Sequence, residues 1–150
     1  MKKQASIAFM MLSLMFSVAA TIVRAQTNSH VMRITIPFEF VVRDKTLPPG
    51  DYIIKRSFSD RPEMLLIRNL DGDMSENVLT SNVQSKTPLS VSKLIFQRYG
   101  NRYFLSQIWN AGDSAGRDLP KSGRERSVAL ELAKNTVERQ QTVTLIAHQR

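Results

Sequence analysis

The chain of 150 residues contains no cysteine and only two histidines. The lack of cysteine excludes disulfide bonds, thiolate metal sites and cysteine nucleophiles. The histidines, His30 and His148, stand near opposite ends of the part that follows the N-terminal apolar segment, so we expect no multi-histidine metal site. Each is interpreted as a surface or hydrogen-bonded residue. The composition therefore predicts a protein without a cofactor.

Acidic residues are the scarcer charged class, because 13 Asp and Glu stand against 21 Lys and Arg, giving a net charge of +8. Lys2, Lys3 and Arg24 precede residue 26 and no acid does, so residues 26–150 carry +5. The apolar fraction of 42% is typical of a folded domain. The charge is thus a mild basic bias.

The first 25 residues have the three parts of a secretory signal peptide. Lys2 and Lys3 precede an apolar run over residues 7–23 that only Ser and Thr interrupt, and Ala25 ends a small-x-small cleavage pattern. We predict cleavage after Ala25. A retained anchor is the alternative, since the run approaches the length of a membrane span.

Export determines the expected compartment and partners. We expect the protein to be secreted across a bacterial inner membrane and to be periplasmic or extracellular, touching the membrane only through the signal peptide before cleavage. Nucleic acid is therefore not an expected partner. Residues 26–150 are predicted to form a single β-rich domain, stabilised by its core alone.

Four segments in the first half of this domain have strand-like patterns: residues 31–42, 52–58, 64–70 and 77–84. Pro37 is expected to place the first at an edge or to bend it into two short strands. Leu47–Tyr52 (Leu-Pro-Pro-Gly-Asp-Tyr) predicts a tight turn into the second. Asp71-Gly72 predicts a hairpin turn between the last two.

The clearest hairpin joins residues 91–99 to residues 102–109 through Gly100-Asn101, a pair suited to a type II′ or type I′ turn. Five aromatic residues fall in it: Phe96, Tyr99, Tyr103, Phe104 and Trp109. Aromatic cross-strand pairs stabilise sheets. We therefore predict this hairpin at the centre of the sheet.

Residues 110–121 are rich in Gly, Ser and Asp and are predicted to form a loop. Ser122 and Glu125 then match a helix-capping box. The helix is expected to extend to about Asn135, with one apolar face formed by Val128, Ala129, Leu132 and Ala133. Residues 142–147 predict a final strand.

These elements predict a mainly β (α+β) fold: an antiparallel β-sandwich or small barrel of about six to eight strands, with one C-terminal helix and a final strand. Periodicity determines which face of a strand is buried and does not determine closure, so sandwich and barrel both remain open.

Several motifs resemble, in their order, a group of small, uncharacterised exported proteins of acidobacterial type that carry signal peptides. The motifs are Pro37-Phe38-Glu39-Phe40, Leu47–Tyr52, Lys93–Trp109 and Gly116–Ser122. The resemblance covers most of the mature chain and implies export and a compact β-rich domain. It implies no activity. The Leu47–Tyr52 turn is also similar to turns in transthyretin-like β-sandwich modules.

Gly112–Gly116 matches the G-x-S-x-G pattern, and Asp118 and His148 follow in the order of a hydrolase triad. A small serine hydrolase using Ser114, Asp118 and His148 is therefore one alternative. A nucleophile elbow requires a parallel strand before it and a helix after it, inside a doubly wound sheet. Because the preceding strand here belongs to a hairpin, a flexible Gly- and Ser-rich loop is the favoured interpretation.

Residues 69–75 place oxygen-bearing side chains at alternate positions, as calcium loops do. Met74 and Thr80 stand where a calcium loop has its glycine and its bidentate glutamate. A hairpin turn is therefore the favoured interpretation, with weak calcium binding as the alternative.

Basic and aromatic residues gather between Arg98 and Arg126. The candidate anion or ligand surface consists of Arg98, Tyr99, Arg102, Tyr103, Trp109, Arg117 and Lys121. Such a surface could hold a phosphate or an anionic polymer. The alternative is a solvated surface on which arginine stems cover aromatic rings.

No convergent set of catalytic residue types accompanies the strand pattern. The expected function is that of a non-enzymatic, exported bacterial envelope protein, either structural or ligand-binding. Its expected partners are an envelope polymer, a lipid or a small amphipathic ligand, and its oligomeric state is left open. The anion-binding module and the hydrolase are the two alternatives.

Overall fold

A computed structural model describes residues 31–58, 61–72, 74–134 and 140–147. These residues form eleven strands and one helix. The elements are β1 (Met32–Ile36), β2 (Phe40–Val42), β3 (Lys45–Leu47), β4 (Gly50–Phe58), β5 (Arg61–Asn69), β6 (Ser75–Leu79), β7 (Ser81–Gln84), β8 (Lys93–Tyr99), β9 (Arg102–Trp109), β10 (Ala115–Asp118), α1 (Gly123–Lys134) and β11 (Gln141–Ile146). The predicted signal peptide, His30 and His148 lie outside the described residues.

The strands form two sheets. Sheet A has the order β1-β4-β5-β6; sheet B has the order β11-β8-β9-β10-β7, with β2 attached to β9 and β3 to β2. The pairings are antiparallel except that of β2 with β9, which is parallel. The sheets pack on a shared core and do not close into a barrel. The predicted mainly β fold with one helix and a final strand is confirmed, as a sandwich.

Two of the predicted strands divide between the sheets, which is one reason for the larger strand number. Residues 31–42 form β1 in sheet A and β2 in sheet B, and Pro37 lies between them. Residues 77–84 divide at Thr80, where β6 ends in sheet A and β7 begins in sheet B. The Thr80 amide and hydroxyl both donate to the Glu63 carbonyl, at 2.9 and 2.8 Å. This residue therefore fixes the crossing.

The turn before β4 is closed by a tyrosine. Tyr52 is fully buried, and its hydroxyl donates to the Pro48 carbonyl at 2.6 Å. Gly50 has a φ of 154°, and a Cβ there would lie 3.1 Å from Asn69 Nδ2, so glycine suits both the backbone and the space. The Tyr52 ring packs edge-on against Phe40, so the turn is joined to the core.

The β8–β9 hairpin occupies the centre of sheet B, as predicted. Gly100 has a φ of 59° and Asn101 has a negative φ, which is the type II′ arrangement. A bulge between Ile95 and Phe96 shifts the register of the pair. Leu105 and Ile108 therefore both face the core, although they are three residues apart.

The prediction that residues 110–121 form only a loop was wrong, because they contain β10. This strand pairs with β9 through Arg117 and Asp118 and with β7 along its whole length. Sequence periodicity could not show it, since a four-residue strand with one glycine has no measurable alternation.

The helix begins and ends close to the predicted residues. Its buried stripe differs from the predicted one: Glu125 and Val128 are buried, Ala129 and Leu132 are half-buried, and Ala133 is exposed. The spacing is still that of one helix face. Glu125 is therefore buried at a position that the pattern of apolar residues predicted to be exposed to solvent.

Apolar side chains pack in two clusters. The larger lies between the sheets, and we call the sheet surfaces that line it the inner faces. The smaller consists of Val41, Tyr99, Phe104 and Val128, with α1 covering the outer face of sheet B. The outer face of sheet A has no helix over it among the described residues.

Candidate functional site

Arg98 and Tyr103 are brought together by the hairpin register. They are direct partners on β8 and β9, and the Arg98 guanidinium carbon lies 5.5 Å from the centroid of the Tyr103 ring. Tyr103 stacks on Phe38 with ring centroids 4.0 Å apart. Arg98 Nε donates to the Gly100 carbonyl at 2.7 Å. This part of the predicted surface covers an aromatic ring and steadies the turn.

Tyr99 and Arg102 face the opposite way, because neighbouring residues of a strand alternate between its faces. Tyr99 is 2% exposed beneath α1, whereas its register partner Arg102 is exposed. Lys121, just before the helix, interacts electrostatically with Tyr99. The hydroxyl of Tyr99 is therefore directed at the start of α1.

Trp109 and Arg117 lie toward the other end of the hairpin. Trp109 is buried over Gly116, and its indole N–H donates to Gln107 Oε1 at 3.0 Å. Arg117 lies on the inner face and donates to Asn82 Oδ1. The seven predicted residues thus occupy both faces of sheet B and do not form one continuous surface. Their binding of an anion stays a prediction.

The helix cap is confirmed on the serine side. The Glu125 amide donates to Ser122 Oγ at 3.1 Å, and both residues are buried. The Glu125 carboxylate accepts a hydrogen bond from the Tyr99 hydroxyl at 3.1 Å. Among the described hydrogen bonds, this contact takes the place of the predicted bond between the carboxylate and the Ser122 amide. The pair joins α1 to β8.

Burial raises the pKa of the Glu125 carboxyl, against the lowering effects of the Tyr99 hydrogen bond and of Lys121 and Arg126. Asp118 adds a smaller raising effect. Burial also raises the pKa of Tyr99, so its hydroxyl remains protonated near neutral pH and can donate. Glu125 is the one buried ionisable carboxyl in the described ranges.

The candidate triad is not assembled by β10. Ser114 precedes the strand and Asp118 ends it, so at about 3.3 Å per residue their Cα atoms lie roughly 13 Å apart on the same face. Asp118 accepts from Gln107 Nε2 at 3.1 Å, and His148 lies outside the described residues. The triad therefore stays a prediction.

The candidate calcium segment is used to make a turn. Asn69 Oδ1 accepts from the Asp71 amide at 2.7 Å, and the Asn69 amide donates to the Met74 carbonyl at 2.9 Å. The described ranges contain no group of three or more His, Asp or Glu able to hold a metal ion. These contacts support the hairpin interpretation.

A cleft of about 210 Å³ opens between the sheets where β10 and the loop before it meet β4. Its lining divides into an apolar group (Ile54, Leu65, Ile108), a basic group (Lys55, Arg56, Arg117) and the remaining residues Asn110, Asp113 and Ala115. In the register, Arg56 pairs with Leu65 and Arg117 with Ile108. One arginine from each sheet therefore stands at an inner-face position at the mouth of the sandwich.

This cleft includes only Arg117 of the residues selected from sequence. Lys55 and Arg56 were not selected, because they lie within an ordinary strand pattern and next to no motif. Arg56 could have been found from the alternation of inward and outward residues along the strand. Tyr52 and Ile54 face inward, so residue 56 is predicted to face inward too.

A second cleft, of about 470 Å³, lies where β1 and β11 approach each other. Its charged lining residues, Arg33 and Asp51, have opposite signs, and Asp51 accepts a hydrogen bond from Thr35. This cleft therefore has no net preference for an anion.

Within the described ranges, no helix is long and apolar enough to cross a membrane. Comparison of the chain with protein-family models, with curated proteins and with solved structures finds no match.

Proposed function

We propose that the chain is an exported, non-enzymatic β-sandwich that binds a small anionic amphiphile in the cleft between the sheets. The observation that carries the proposal is that Arg56 and Arg117, from opposite sheets, line one cleft whose floor is apolar. Arginine is suited to phosphate and carboxylate groups, because its planar fork donates two parallel hydrogen bonds.

The charges of the cleft favour an anion. Its lining has two arginines at inner-face positions, Arg56 and Arg117, and one acidic residue, Asp113. Asn82 accepts a hydrogen bond from the Arg117 guanidinium and so holds it in place. A fixed donor loses less conformational entropy on binding than a free one does. The basic group therefore suits the head of the ligand.

The floor favours an apolar body on the same ligand. Ile54, Leu65 and Ile108 are almost fully buried members of the core. The cleft has a volume of about 210 Å³, which suits a short alkyl chain or the end of a longer one. We infer an alkyl phosphate, an alkyl carboxylate or a similar amphiphile as the ligand class.

Titration calorimetry of the full chain with octyl phosphate tests this proposal. We expect saturable binding to one site, and roughly tenfold weaker binding after Arg56→Gln or Arg117→Gln, since a charge-assisted hydrogen bond contributes about 1.5 to 3 kcal/mol. Lys134→Gln is the matched control, because Lys134 is exposed at the end of α1, which covers the outer face of sheet B. It should bind as the unmodified chain does.

Two further probes measure separately how the charged head and the apolar body of the ligand contribute to binding. Octanol, which lacks the charge, and inorganic phosphate, which lacks the chain, should each bind at least tenfold more weakly than octyl phosphate. Equal binding of octanol, or unchanged binding by both arginine variants, would refute the proposal.

We propose that residues 1–25 direct export and are then removed. Expressed in a bacterium with two membranes, the chain should be recovered from the periplasm or the medium with a mass corresponding to residues 26–150. Ala25→Asp should block processing, because the cleavage site requires a small residue there. Intact-mass spectrometry of each cell fraction checks this. A full-length mass in the membrane fraction would instead identify a retained anchor.

A further inference from the structure

The outer face of sheet A carries basic and apolar side chains next to one another. Its six defining residues, which we call the basic face, are Arg33, Ile53, Lys55, Leu66, Arg68 and Leu79. Each lies opposite in direction to the core residues of its strand. We propose that the basic face docks on an anionic phospholipid membrane.

The register places these residues side by side. Arg33 pairs with Ile53, and Ile53 pairs with Arg68, so one row crosses three strands with an isoleucine between two arginines. Directly paired side chains have Cβ atoms about 5 Å apart. The two guanidinium groups therefore originate roughly 10 Å from each other. In the next row Lys55 pairs with Leu66.

The three cations are exposed. Within the ranges that the structure describes, none of Arg33, Lys55 and Arg68 forms an ion pair or a side-chain hydrogen bond. The acid on the same face, Asp51, is engaged by the Thr35 hydroxyl. Among the described residues of this face, three cations stand against the one carboxylate of Asp51, so the face has a net positive charge that attracts anions.

The apolar members of the face distinguish a membrane from a soluble anion. Leu79 is 52% exposed, and Ile53 and Leu66 are half-buried between the cations. Apolar side chains on a basic surface enter the boundary between headgroups and acyl chains, while Lys and Arg contact the phosphates. A four-stranded sheet presents them over a broad surface. The outer face of sheet B is different, because α1 covers part of it.

The absence of cysteine makes the contact measurable. A single cysteine introduced by Ser75→Cys, beside Arg68 in the register, carries an environment-sensitive fluorophore on the basic face. Ser127→Cys carries the same label on an exposed position of α1. In the full chain the predicted signal peptide is common to both labelled proteins, so a difference between the two positions reports which face meets the membrane.

Vesicles of phosphatidylglycerol and phosphatidylcholine should shift the emission of the label at residue 75 to the blue, and vesicles of phosphatidylcholine alone should not. The label at residue 127 should shift much less. Arg33→Gln with Arg68→Gln should weaken the response roughly thirtyfold, at about fivefold per charge. Lys86→Gln with Lys134→Gln removes two exposed charges elsewhere and should leave it unchanged.

An equal shift at both positions, an equal response to neutral vesicles, or an unchanged response of the Arg33–Arg68 double variant would overturn the proposal. A shift that follows protein concentration without vesicles would also overturn it, because a second copy of the chain would then cover the face. None of these substitutions touches Arg56 or Arg117, so this test and that of the cleft can fail separately.

Discussion

Gly116→Ala is expected to destabilise the protein by about 3 kcal/mol. A Cβ at residue 116 would lie 2.5 Å from Cδ2 and 2.6 Å from Cε3 of Trp109. Real side chains do not approach so closely, so the indole has to move, and overpacking of this kind costs about 1 to 3 kcal/mol. The displaced ring also loses its buried position and the hydrogen bond to Gln107.

The displacement should reach β10 through a chain of hydrogen bonds. Trp109 donates to Gln107, and Gln107 donates to Asp118 at 3.1 Å. Asp118 is the last residue of β10, directly before the segment that enters α1. We therefore expect the start of the helix to loosen in the variant along with the strand.

Chemical denaturation followed by tryptophan fluorescence measures both effects, since Trp109 is the single tryptophan of the chain. The midpoint should fall, and the emission of the folded variant should shift to the red. Gly123→Ala is the matched control: it adds a methyl group where nothing lies within 4 Å, at the first turn of α1, and should be neutral or slightly stabilising. Unchanged emission with a midpoint like that of the control would contradict the contact.

A double-mutant cycle makes the test specific. If the ring of Trp109 is what the new methyl group meets, Gly116→Ala should cost much less in a Trp109→Leu background than in the unmodified chain. Equal costs in both backgrounds would place the strain elsewhere.

The same contact explains why a catalytic motif seemed present in the sequence. Gly116 supplies the last glycine of G-x-S-x-G, and the structure shows that this residue is small because an aromatic ring from β9 covers it. Gly112 has a φ of 82°, which a turn requires. Glycine is thus required at residue 112 by the backbone conformation and at residue 116 by the space beside Trp109, and neither requirement involves a nucleophile.

Local signals were sufficient for most of the fold. Gly100-Asn101, Pro37 and Ser122 each determine a turn, a break or a cap through their own chemistry, and all three act as predicted. Long-range pairing was not predictable in this way. The parallel contact of β2 with β9 joins residues about sixty positions apart and leaves no periodic trace.

The candidate site was predicted less well, because its residues meet only through the packing of the two sheets. Arg98, Tyr99, Arg102 and Tyr103 are close in sequence, yet strand alternation sends them to opposite faces. Arg56 and Arg117 are far apart in sequence and line one cleft. Two residues that are close along a strand therefore often belong to different sites. Residues that lie on the same face of a sheet are better candidates for a shared site.

Glu125→Gln is expected to stabilise the protein at neutral pH by about 1 to 2 kcal/mol, the scale of a buried charge that is incompletely compensated. The carboxyl is 4% exposed, and burial raises its pKa above the ordinary value of 4.5 despite Lys121 and Arg126. Glutamine keeps an oxygen that can accept from the Tyr99 hydroxyl and removes the charge.

The sign of the pH dependence follows from the raised pKa. Well below pH 4.5 the carboxyl is protonated in both the folded and the unfolded chain, so the two proteins should have nearly equal stability. As the pH rises, the unfolded chain releases its proton first, which favours unfolding until the folded carboxyl also ionises. The advantage of the variant should therefore appear above about pH 4.5 and become constant once the folded carboxyl has ionised.

Denaturation of both proteins from pH 3.5 to 8 measures this difference directly and cancels the contributions of all other groups. Tyr99→Phe sharpens the test, because it removes the donor at 3.1 Å that lowers the pKa of the carboxyl. Its cost should be larger at pH 7 than at pH 4, and smaller in the Glu125→Gln background. A difference between Glu125→Gln and the unmodified chain that is independent of pH would show that folding leaves the pKa of the carboxyl unshifted, and it would contradict the prediction. A difference that grows toward acid would show that the folded state favours the charged carboxylate. In that case the charges of Lys121 and Arg126 would outweigh burial, and the carboxylate would be stabilised by cations of the helix and of the segment before it.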